Sequence, residues 1–262
     1  MNRLPRLLAA VVCAAALHAQ NTPIVSGKRY ARIAIRSATV IEGNGTPAAG
    51  PKDILIENGT ITRVVPVDAV AGARGRSSIN ADVEIDATGK YVMPGLINLH
   101  AHIQDERGGI PMPLDYCLKL WLASGITTIR DVGSKLEQTL ELRRKSGEGQ
   151  IAAPRIFAYP MFGRAATAEE ARARVREYKK AGADGIKTLG VYRDIMQALE
   201  EEAHNLQLPV AHHTGVEETN TWDDIRFGTR SIEHWYGIPD AALPEGVQKF
   251  PAEYNYNNET DR

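Results

Sequence analysis

The sequence predicts an α/β protein in which a small β domain precedes a parallel β-sheet flanked by helices. Short apolar segments separated by turn residues occupy residues 31–92, which is typical of a small all-β unit. From Pro94 onward, six strand-like segments alternate with five helix-like segments. Strands that alternate with helices form parallel sheets, because each helix returns the chain to the same end of the sheet.

The small β domain is predicted from five strand-like segments, two of which form a hairpin. Asn58-Gly59 separates two apolar segments, and this dipeptide favours a tight turn because both turn positions need positive φ. Residues 69–81 are rich in Gly, Ala and Ser and are predicted to form a loop. The strands are expected at residues 31–41, 53–57, 60–65, 83–85 and 91–92.

The alternating region is predicted from its apolar periodicity and its glycines. Gly125, Gly182 and Gly228 each follow a helix-like segment, where the left-handed residue that ends a helix is commonly glycine. The predicted strands are residues 96–102, 127–132, 155–159, 185–189, 209–213 and 231–235. The predicted helices lie near residues 114–123, 135–146, 168–181, 194–206 and 217–227.

The amino terminus has the order of features expected of a secretory signal peptide. Arg3 and Arg6 precede the apolar residues 7–17, and Ala19 supplies a small residue at a cleavage position. We therefore assign residues 1–20 to a signal peptide. The mature protein is expected to be exported, periplasmic or secreted, and not associated with a membrane after cleavage.

The amino-acid composition limits which binding partners and which disulfide bonds are expected. The 262 residues include 31 Lys and Arg against 32 Asp and Glu, without long runs of either sign, which argues against nucleic acid or an anionic membrane surface as a partner. A small neutral or zwitterionic substrate fits better. Cys13 lies in the predicted signal peptide, so only Cys117 remains and no internal disulfide can form; its helical context favours a buried structural thiol.

Two histidines end the first predicted strand of the alternating region. His100 and His102 are two residues apart, so the period of a strand places both imidazoles on one face. Neutral imidazoles that converge on one point suit Zn²⁺, whereas the same pair could instead form a hydrogen-bonded structural pair. The spacing alone leaves both interpretations open.

Three later strands add polar groups at the same edge of the sheet. Lys187 interrupts an apolar strand, where lysine is rarely buried without a partner; the alternative is an outward lysine whose head reaches water. His212 and His213 end the next strand, and His234 follows in the last one. Four strands thus bring His or Lys to one edge, the edge at which barrels of parallel strands assemble their sites.

Two segments resemble the amidohydrolase superfamily of metal-dependent hydrolases. Residues 89–102, GKYVMPGLINLHAH, are similar to the passage by which these enzymes leave a small β-sandwich and enter the first strand of a TIM-type barrel. Residues 125–133, GITTIRDVG, resemble their second barrel strand. The likeness extends over residues 31–240, and its motifs are specific in combination.

The resemblance implies a fold and a division into domains. The fold is an α/β, TIM-type (β/α)8 barrel, here incomplete with about six βα units, after a small amino-terminal β-sandwich domain. The divisions are a signal peptide at residues 1–20, a partial β-sandwich at 21–93 and a partial hydrolase barrel at 94–262. The family needs an Asp at the end of the eighth strand as a proton shuttle. This chain ends after the sixth, so we expect it to be carboxy-terminally truncated and inactive alone.

The resemblance also implies a two-metal site, residue by residue. His100 and His102 would bind the more buried ion, and His213 and His234 would bind the second. Lys187 would be carboxylated by CO2 and bridge the two ions, which makes it both the catalytic residue and a metal ligand. The implied cofactors are therefore two divalent metal ions, with zinc expected, and CO2 as a lysine carbamate.

Other polar residues near these positions receive different assignments. His213 is preferred to His212 because related enzymes place this ligand four residues beyond a strand-initiating proline such as Pro209, and adjacent strand residues face opposite ways. His212 is then expected to pack outward in the core. His204 lies in a polar helical segment and is expected to be solvated, while Asp131 could cap a loop or contact substrate.

The implied function is hydrolysis of amide, peptide or cyclic amide C–N bonds by a hydroxide that bridges two metal ions. Ile186-Lys187 resembles the branch of Xaa-Pro dipeptidases and imidazolonepropionase-related proteins, so a small-molecule or dipeptide-like substrate is expected. Two alternatives stay open: an ester, lactone or phosphoester hydrolase of the same fold, and a non-catalytic structural or binding homologue. The exact substrate, the metal and its number, and assembly into a homo-oligomer are also open.

Overall fold

The computed structural model describes most of the chain between residues 29 and 242, namely residues 29–68, 79–133, 135–213, 219–234 and 237–242. The predicted signal peptide and most of the predicted loop at residues 69–81 lie outside this part. The chain divides into two compact units, Met1–Met93 and Pro94–Arg262. None of the described helices is long and apolar enough to cross a membrane.

The first unit contains a five-stranded mixed sheet. Its strands are β1 (Arg32–Val40), β2 (Ala49–Glu57), β3 (Thr60–Pro66), β4 (Val83–Asp86) and β5 (Tyr91–Val92). The order is β3-β2-β1-β4, and β5 also pairs with β1. Asn58 and Gly59 turn the β2–β3 hairpin with φ of 49° and 80°, as the Asn-Gly signal predicts. Because the described residues form one sheet here, the β-sandwich stays a prediction.

The second unit alternates strands and helices. Its elements in chain order are β6 (Leu96–Ala101), β7 (Glu106–Arg107), β8 (Ile110–Pro111), α1 (Leu114–Ala123), β9 (Ile126–Val132), α2 (Leu136–Gly147), β10 (Arg155–Tyr159), α3 (Ala168–Ala181), β11 (Ile186–Thr188), α4 (Arg193–Asn205), β12 (Val210–His212), α5 (Thr221–Phe227), β13 (Ser231–Ile232) and α6 (Ile238–Ala241). The predicted strands and helices are all found, with ends that move by a few residues. The β7–β8 hairpin and α6 were not predicted.

The parallel strands form two sheets, so the prediction of a single sheet is wrong in this respect. One sheet has the order β6-β9-β10 and the other β11-β12-β13. They meet at a parallel bridge between Met161 and Lys187, where the N–H of Lys187 donates to the carbonyl of Pro160 at 2.9 Å. All three residues of β11 pair with β12, whereas on its other edge β11 makes a single bridge to the chain after β10. The six strands nevertheless follow one another in sequence order, and the described residues do not close a barrel.

Side-chain caps and left-handed glycines define the ends of two helices, α3 and α5. Thr167 caps α3 by accepting a hydrogen bond from the N–H of Glu170, and Gly182 ends that helix with φ of 92°. Asn220 and Asp223 form a capping box at the start of α5. Such caps satisfy backbone groups that a helix leaves without partners, so α3 and α5 begin and end at defined residues.

An apolar core holds α3 and α4 against β11 and β12. Ile186 and Val210 from the strands pack with Val175, Met196 and Leu199 from the helices, and each is at most 1% exposed. Burial of side chains of this size contributes about 1.5–3 kcal/mol each. The strands whose ends carry Lys187 and the adjacent histidines therefore rest on a well-packed layer.

Candidate metal centre

Four histidines from three strands lie close together at the carboxyl ends of those strands. His100 is in β6 and His102 follows that strand, while His213 follows β12 and His234 follows β13. The ring centroids are 5.0 Å apart for His100 and His102, 4.6 Å for His100 and His234 and 4.9 Å for His213 and His234. These four side chains together with Lys187 are called the histidine cluster below.

Lys187 contributes a buried amine to this cluster. The residue is 2% exposed, and its Nζ has no hydrogen-bond partner among the described residues. Burial lowers the pKa of this amine to about 8; the Glu233 carboxylate opposes the change and the Arg130 charge adds to it. A Cβ on Gly133 would lie 3.7 Å from Cγ of Lys187, so this glycine borders the space around the lysine stem. A buried amine without a partner is unfavourable in a core, which points to a role in binding.

In three histidines of the cluster, His102, His213 and His234, the lowered pKa favours the neutral form of the imidazole. Burial, followed by the charge of Lys187, lowers the pKa of His213 to about 4. Partial burial and then the charge of His100 lower the pKa of His102 and of His234. A neutral imidazole offers a lone pair to a metal ion, so these side chains are suited to divalent cations at neutral pH.

The cluster is not arranged as a closed metal cage. Among the residues that the structure describes, no three His, Cys, Asp or Glu side chains already surround one point at metal-binding distance. Neighbouring rings meet edge-on or tilted, and Nδ1 of His100 contacts a carboxylate. The donor types nevertheless fit two divalent ions, because imidazole nitrogens are common zinc ligands and a carboxylated Lys187 would add two anionic oxygens.

Two charged residues beside the cluster, Arg130 and Glu233, were missed by the sequence analysis. Glu233 accepts hydrogen bonds from Nδ1 of His100 at 2.5 Å and from the hydroxyl of Ser231 at 2.8 Å, and it pairs with the Arg130 guanidinium. Arg130 also donates to the carbonyl of Leu99 at 2.6 Å. Burial alone would raise the pKa of Glu233, but the hydrogen bonds from His100 and Ser231 and the Arg130 charge lower it.

The carboxyl group of Asp131 binds the backbone of the segment that follows His102. It is fully buried and accepts hydrogen bonds from the N–H of Ile103 at 3.0 Å and from the hydroxyl of Thr139 at 2.9 Å. Burial raises the pKa of this carboxyl to about 6, against the effect of the two hydrogen bonds. Because Thr139 belongs to α2, the carboxyl ties the segment after His102 to that helix.

His212 lies on the helix side of β12, away from the cluster. Its Nδ1 is 2.6 Å from Oδ1 of Asp224 in α5, and both residues are buried. The Thr229 hydroxyl lies 2.9 Å from the same oxygen of Asp224 and 2.7 Å from Glu200 in α4. A hydroxyl has one hydrogen to donate, so a protonated Glu200 would complete the chain of hydrogen bonds. His212, Asp224, Thr229 and Glu200 are called the helix-side network below.

The remaining predicted residues lie apart from the cluster. His204 is exposed on α4 and Cys117 is buried in α1. A cavity of about 680 Å³ lies beside Glu200 and the amino ends of β12 and β13, at the opposite ends of these strands from the histidines. His213, and not His212, is thus the residue that lies with the cluster, and its assignment as a ligand stays a prediction.

Comparison with protein families identifies the group to which the chain belongs. The sequence matches the amidohydrolase family over residues 91–248, more than half of its length. The chain belongs to the amidohydrolase family. This confirms the resemblance that residues 89–102 and 125–133 indicate.

Several named amidohydrolase relatives align with part of the chain. A 5-methylthioadenosine/S-adenosylhomocysteine deaminase of Desulforudis audaxviator is 32% identical over 38% of this chain and 23% of its own length. A D-hydantoinase of Streptomyces coelicolor is 32% identical over 44% and 26%. A dihydroorotase of Staphylococcus epidermidis is 27% identical over 66% and 41%. The chain therefore spans less than half the length of these relatives.

Solved structures show the fold of this amidohydrolase. An Xaa-Pro dipeptidase with bound methionine matches with a TM-score of 0.63 and 23% identity, covering 78% of this chain and 61% of that one. A molinate hydrolase matches with a TM-score of 0.65 and 22% identity, covering 83% and 60%. At this identity the likeness shows the fold alone. It confirms an α/β fold of the TIM-barrel type, while the incomplete barrel stays a prediction.

Proposed function

We propose that the protein hydrolyses C–N bonds of small molecules, of the amide, peptide or cyclic amide type, with the help of two divalent metal ions. The observation that carries the proposal is the histidine cluster. In a chain of the amidohydrolase family, it brings four imidazoles and a buried amine to the carboxyl ends of parallel strands. That end of a TIM-type barrel carries the active site.

The proposed ligands of the two metal ions come from different strands. His100 and His102 would hold one ion, His213 and His234 would hold the other, and Lys187 would lie between them as a carbamate. Two divalent ions in such a site lower the pKa of a water molecule and polarise the carbonyl group that is attacked. Zinc suits the imidazole donors.

Lys187 has the ionisation behaviour that carbamate formation needs. With a pKa of about 8, a larger fraction of this amine is uncharged near neutral pH than of an ordinary lysine. The uncharged nitrogen can form a bond to the carbon of CO2 and release a proton. The product is an anion with two oxygens, so a buried amine without a partner would become a ligand for cations.

The relatives support the reaction class and leave the substrate open. They are named as a deaminase, a D-hydantoinase and a dihydroorotase, and one solved structure as an Xaa-Pro dipeptidase. These names all belong to enzymes that cleave C–N bonds. For this chain we propose a small or dipeptide-like substrate, and export directed by residues 1–20.

Metal content tests the proposed site. We expect the purified protein to hold close to two divalent ions per chain, and the double variant His100→Ala, His102→Ala to lose about one of them. His204→Ala, a histidine exposed on α4, is the matched control and should leave the metal content unchanged. Elemental analysis that finds no metal in an active protein would refute the site.

A substrate panel tests the reaction class. Dipeptides, cyclic amides, lactones and phosphoesters would be assayed on the full-length protein with added Zn²⁺, and turnover of amide-type substrates is expected. Turnover confined to lactones or phosphoesters would replace the proposal with an ester hydrolase of the same fold. Two bound ions without any turnover would favour a non-catalytic homologue.

A further inference from the structure

A partly buried arginine on β9, Arg130, joins two strands that share no backbone ladder in the described part of the chain. β6 pairs with β9, and β13 pairs with β12. The Arg130 guanidinium donates to the Leu99 carbonyl in β6 at 2.6 Å and to the Ser231 hydroxyl in β13 at 2.9 Å. It also pairs with Glu233, which in turn accepts a hydrogen bond from His100. The contacts of one side chain thus connect β6, β9 and β13.

From this geometry we propose that Glu233 and Arg130 are positioning residues for His100. Glu233 fixes the tautomer and orientation of the imidazole, and Arg130 holds Glu233 in place. The inference rests on the proposed function, because it takes His100 to be a metal ligand.

The hydrogen bond to Glu233 decides which nitrogen of His100 is available. Nδ1 of His100 lies 2.5 Å from Oε2 of Glu233, and Oε1 of the same side chain is held by Arg130 and Ser231. Oε2 is thus placed to accept a hydrogen bond, which puts the hydrogen on Nδ1 of His100. Nε2 then holds the lone pair. Histidine ligands commonly donate their second ring N–H to a carboxylate, which orients the ring and makes the metal-facing nitrogen more basic.

Arg130 explains how a carboxylate can stay charged at this position. The Glu233 side chain is 5% exposed, and an isolated buried carboxylate is strongly unfavourable. The guanidinium and the Ser231 hydroxyl both contact Oε1 of Glu233, which leaves Oε2 for His100. The three guanidinium nitrogens face three different acceptors, and the single ammonium of a lysine could not reproduce this fork.

Glu233 also links the two ends of the histidine cluster. Its backbone N–H donates to the carbonyl of His212 at 2.7 Å, and the next residue, His234, has a φ of 64°, which is uncommon for a residue with a side chain. The rings of His100 and His234 are 4.6 Å apart. The side chain of Glu233 therefore holds one ring while its backbone leads directly into the other.

Nuclear magnetic resonance of the imidazoles tests the tautomer. In metal-free protein labelled with ¹⁵N-histidine, we expect the His100 signals, assigned by their loss in His100→Gln, to show the hydrogen on Nδ1. Glu233→Gln should weaken this preference, because a carboxamide can donate as well as accept. A wild-type His100 with its hydrogen on Nε2 would overturn the proposal, whatever the metal content of the protein.

Metal affinity gives a second readout. In competition with a chromophoric chelator, the affinity for Zn²⁺ should fall roughly 10–100-fold in Glu233→Gln and in Arg130→Lys. Asp184→Asn is the matched control, because Asp184 accepts hydrogen bonds from Arg143 at 2.6 Å and from a backbone N–H at 2.8 Å outside the cluster. Its Zn²⁺ affinity should equal that of the wild type.

Thermal unfolding separates positioning from folding. If Glu233→Gln does not fold, Arg130→Lys, which keeps the positive charge, decides the question. Unchanged Zn²⁺ affinity in a folded variant would overturn the positioning role and leave the two-metal site standing. A wild type that binds no Zn²⁺ would instead overturn the proposed function, and the imidazole spectra would still decide the tautomer.

Discussion

Strand β12 leads into two adjacent histidines whose surroundings differ. His212 is fully buried on the helix side, with Nδ1 2.6 Å from Asp224. His213 is half-buried on the other side, with its ring 4.9 Å from that of His234. The helix-side network is built of short donor–acceptor contacts between side chains. The histidine cluster contains the Lys187 amine, which has no hydrogen-bond partner among the described residues.

The two sides of β12 therefore have different roles. The helix-side network stabilises the fold, and the histidine cluster contains groups suited to binding a ligand. On the helix side, short hydrogen bonds between buried polar groups connect α4 and α5 to β12, which offsets much of the cost of burying those groups. A buried amine without a partner lowers stability, and groups of this kind collect at functional sites, where a ligand supplies the missing interaction. A step of one residue separates the two environments, because successive side chains of a strand point to opposite faces.

Replacement of Lys187 should give the largest effect and should act oppositely on function and stability. Lys187→Met keeps the length of the side chain but removes the amine, so hydrolysis should fall by a factor on the order of 10³ because the bridging oxygens cannot form. The metal-free variant should be more stable than the wild type by roughly 1–3 kcal/mol, since the cost of the buried polar group is gone. Steady-state assays and chemical denaturation measure the two effects.

The exposed Lys179 on α3 provides the control for this experiment. Lys179→Met should change neither turnover nor the free energy of unfolding. A Lys187→Met protein that is less stable and fully active would place Lys187 with ordinary structural lysines and remove the contrast between the two sides of β12.

The pH dependence of stability tests the contribution of Glu200, which belongs to the helix-side network. Burial raises the pKa of Glu200 to about 7 from the ordinary 4.5. Between these values Glu200 binds more protons in the folded state than in the unfolded state, so the contribution of this carboxyl to stability falls as the pH rises from 4.5 to 7. Glu200→Gln should remove this fall, and by pH 7 the difference should reach roughly 3 kcal/mol.

Urea denaturation at several pH values measures this effect of Glu200. Glu177→Gln, exposed on α3, removes the same charge at the surface and should keep the wild-type pH dependence. Parallel stability curves for the wild type and Glu200→Gln would show that Glu200 is ionised in the folded protein at pH values well below 7.

Asp224→Asn should have the smallest effect and tests whether the two sides are independent. Asparagine can still accept a hydrogen bond from His212 but carries no charge, so the protein should lose about 1–2 kcal/mol of stability. The number of bound metal ions should not change, in contrast to the weaker binding expected of Glu233→Gln. Loss of metal in Asp224→Asn, measured by elemental analysis, would show that the helix-side network also orients His213.

Patterns within single strands predicted most of the histidine cluster. The alternation of a strand places His100 and His102 on one face, and an apolar strand interrupted by a charge identifies Lys187. The same argument applies to Arg130, a charge within an apolar strand, and could have identified it. The choice between His212 and His213 needed the family resemblance as well, because strand alternation shows only that they face opposite sides.

Contacts between distant strands could not be predicted from such patterns. Arg130 and Glu233 are separated by 103 positions, and their pairing depends on how β9 and β13 are placed in space. The division into two sheets depends on how the chain after β10 meets β11 at the bridge between Met161 and Lys187, and a pattern within one strand does not define this contact. The Gly108-Gly109 turn of the β7–β8 hairpin was visible as a turn dipeptide, but its two-residue strands are too short to show a periodicity.

Gly133 leads to a practical rule for redesign. This residue follows β9 with a φ of 106°, a conformation that residues with side chains rarely adopt, and a Cβ there would lie 2.7 Å from the terminal methyl group of Met161. The terminal methyl group of Met161 therefore occupies space that exists because residue 133 has no side chain, and the stem of Lys187 lies beside the same space at an ordinary contact distance of 3.7 Å. An engineer who grafts a new loop between β9 and α2 to alter specificity should keep glycine as its first residue; any other residue there would strain the backbone and push aside the side chain of Met161, whose backbone is bridged to Lys187.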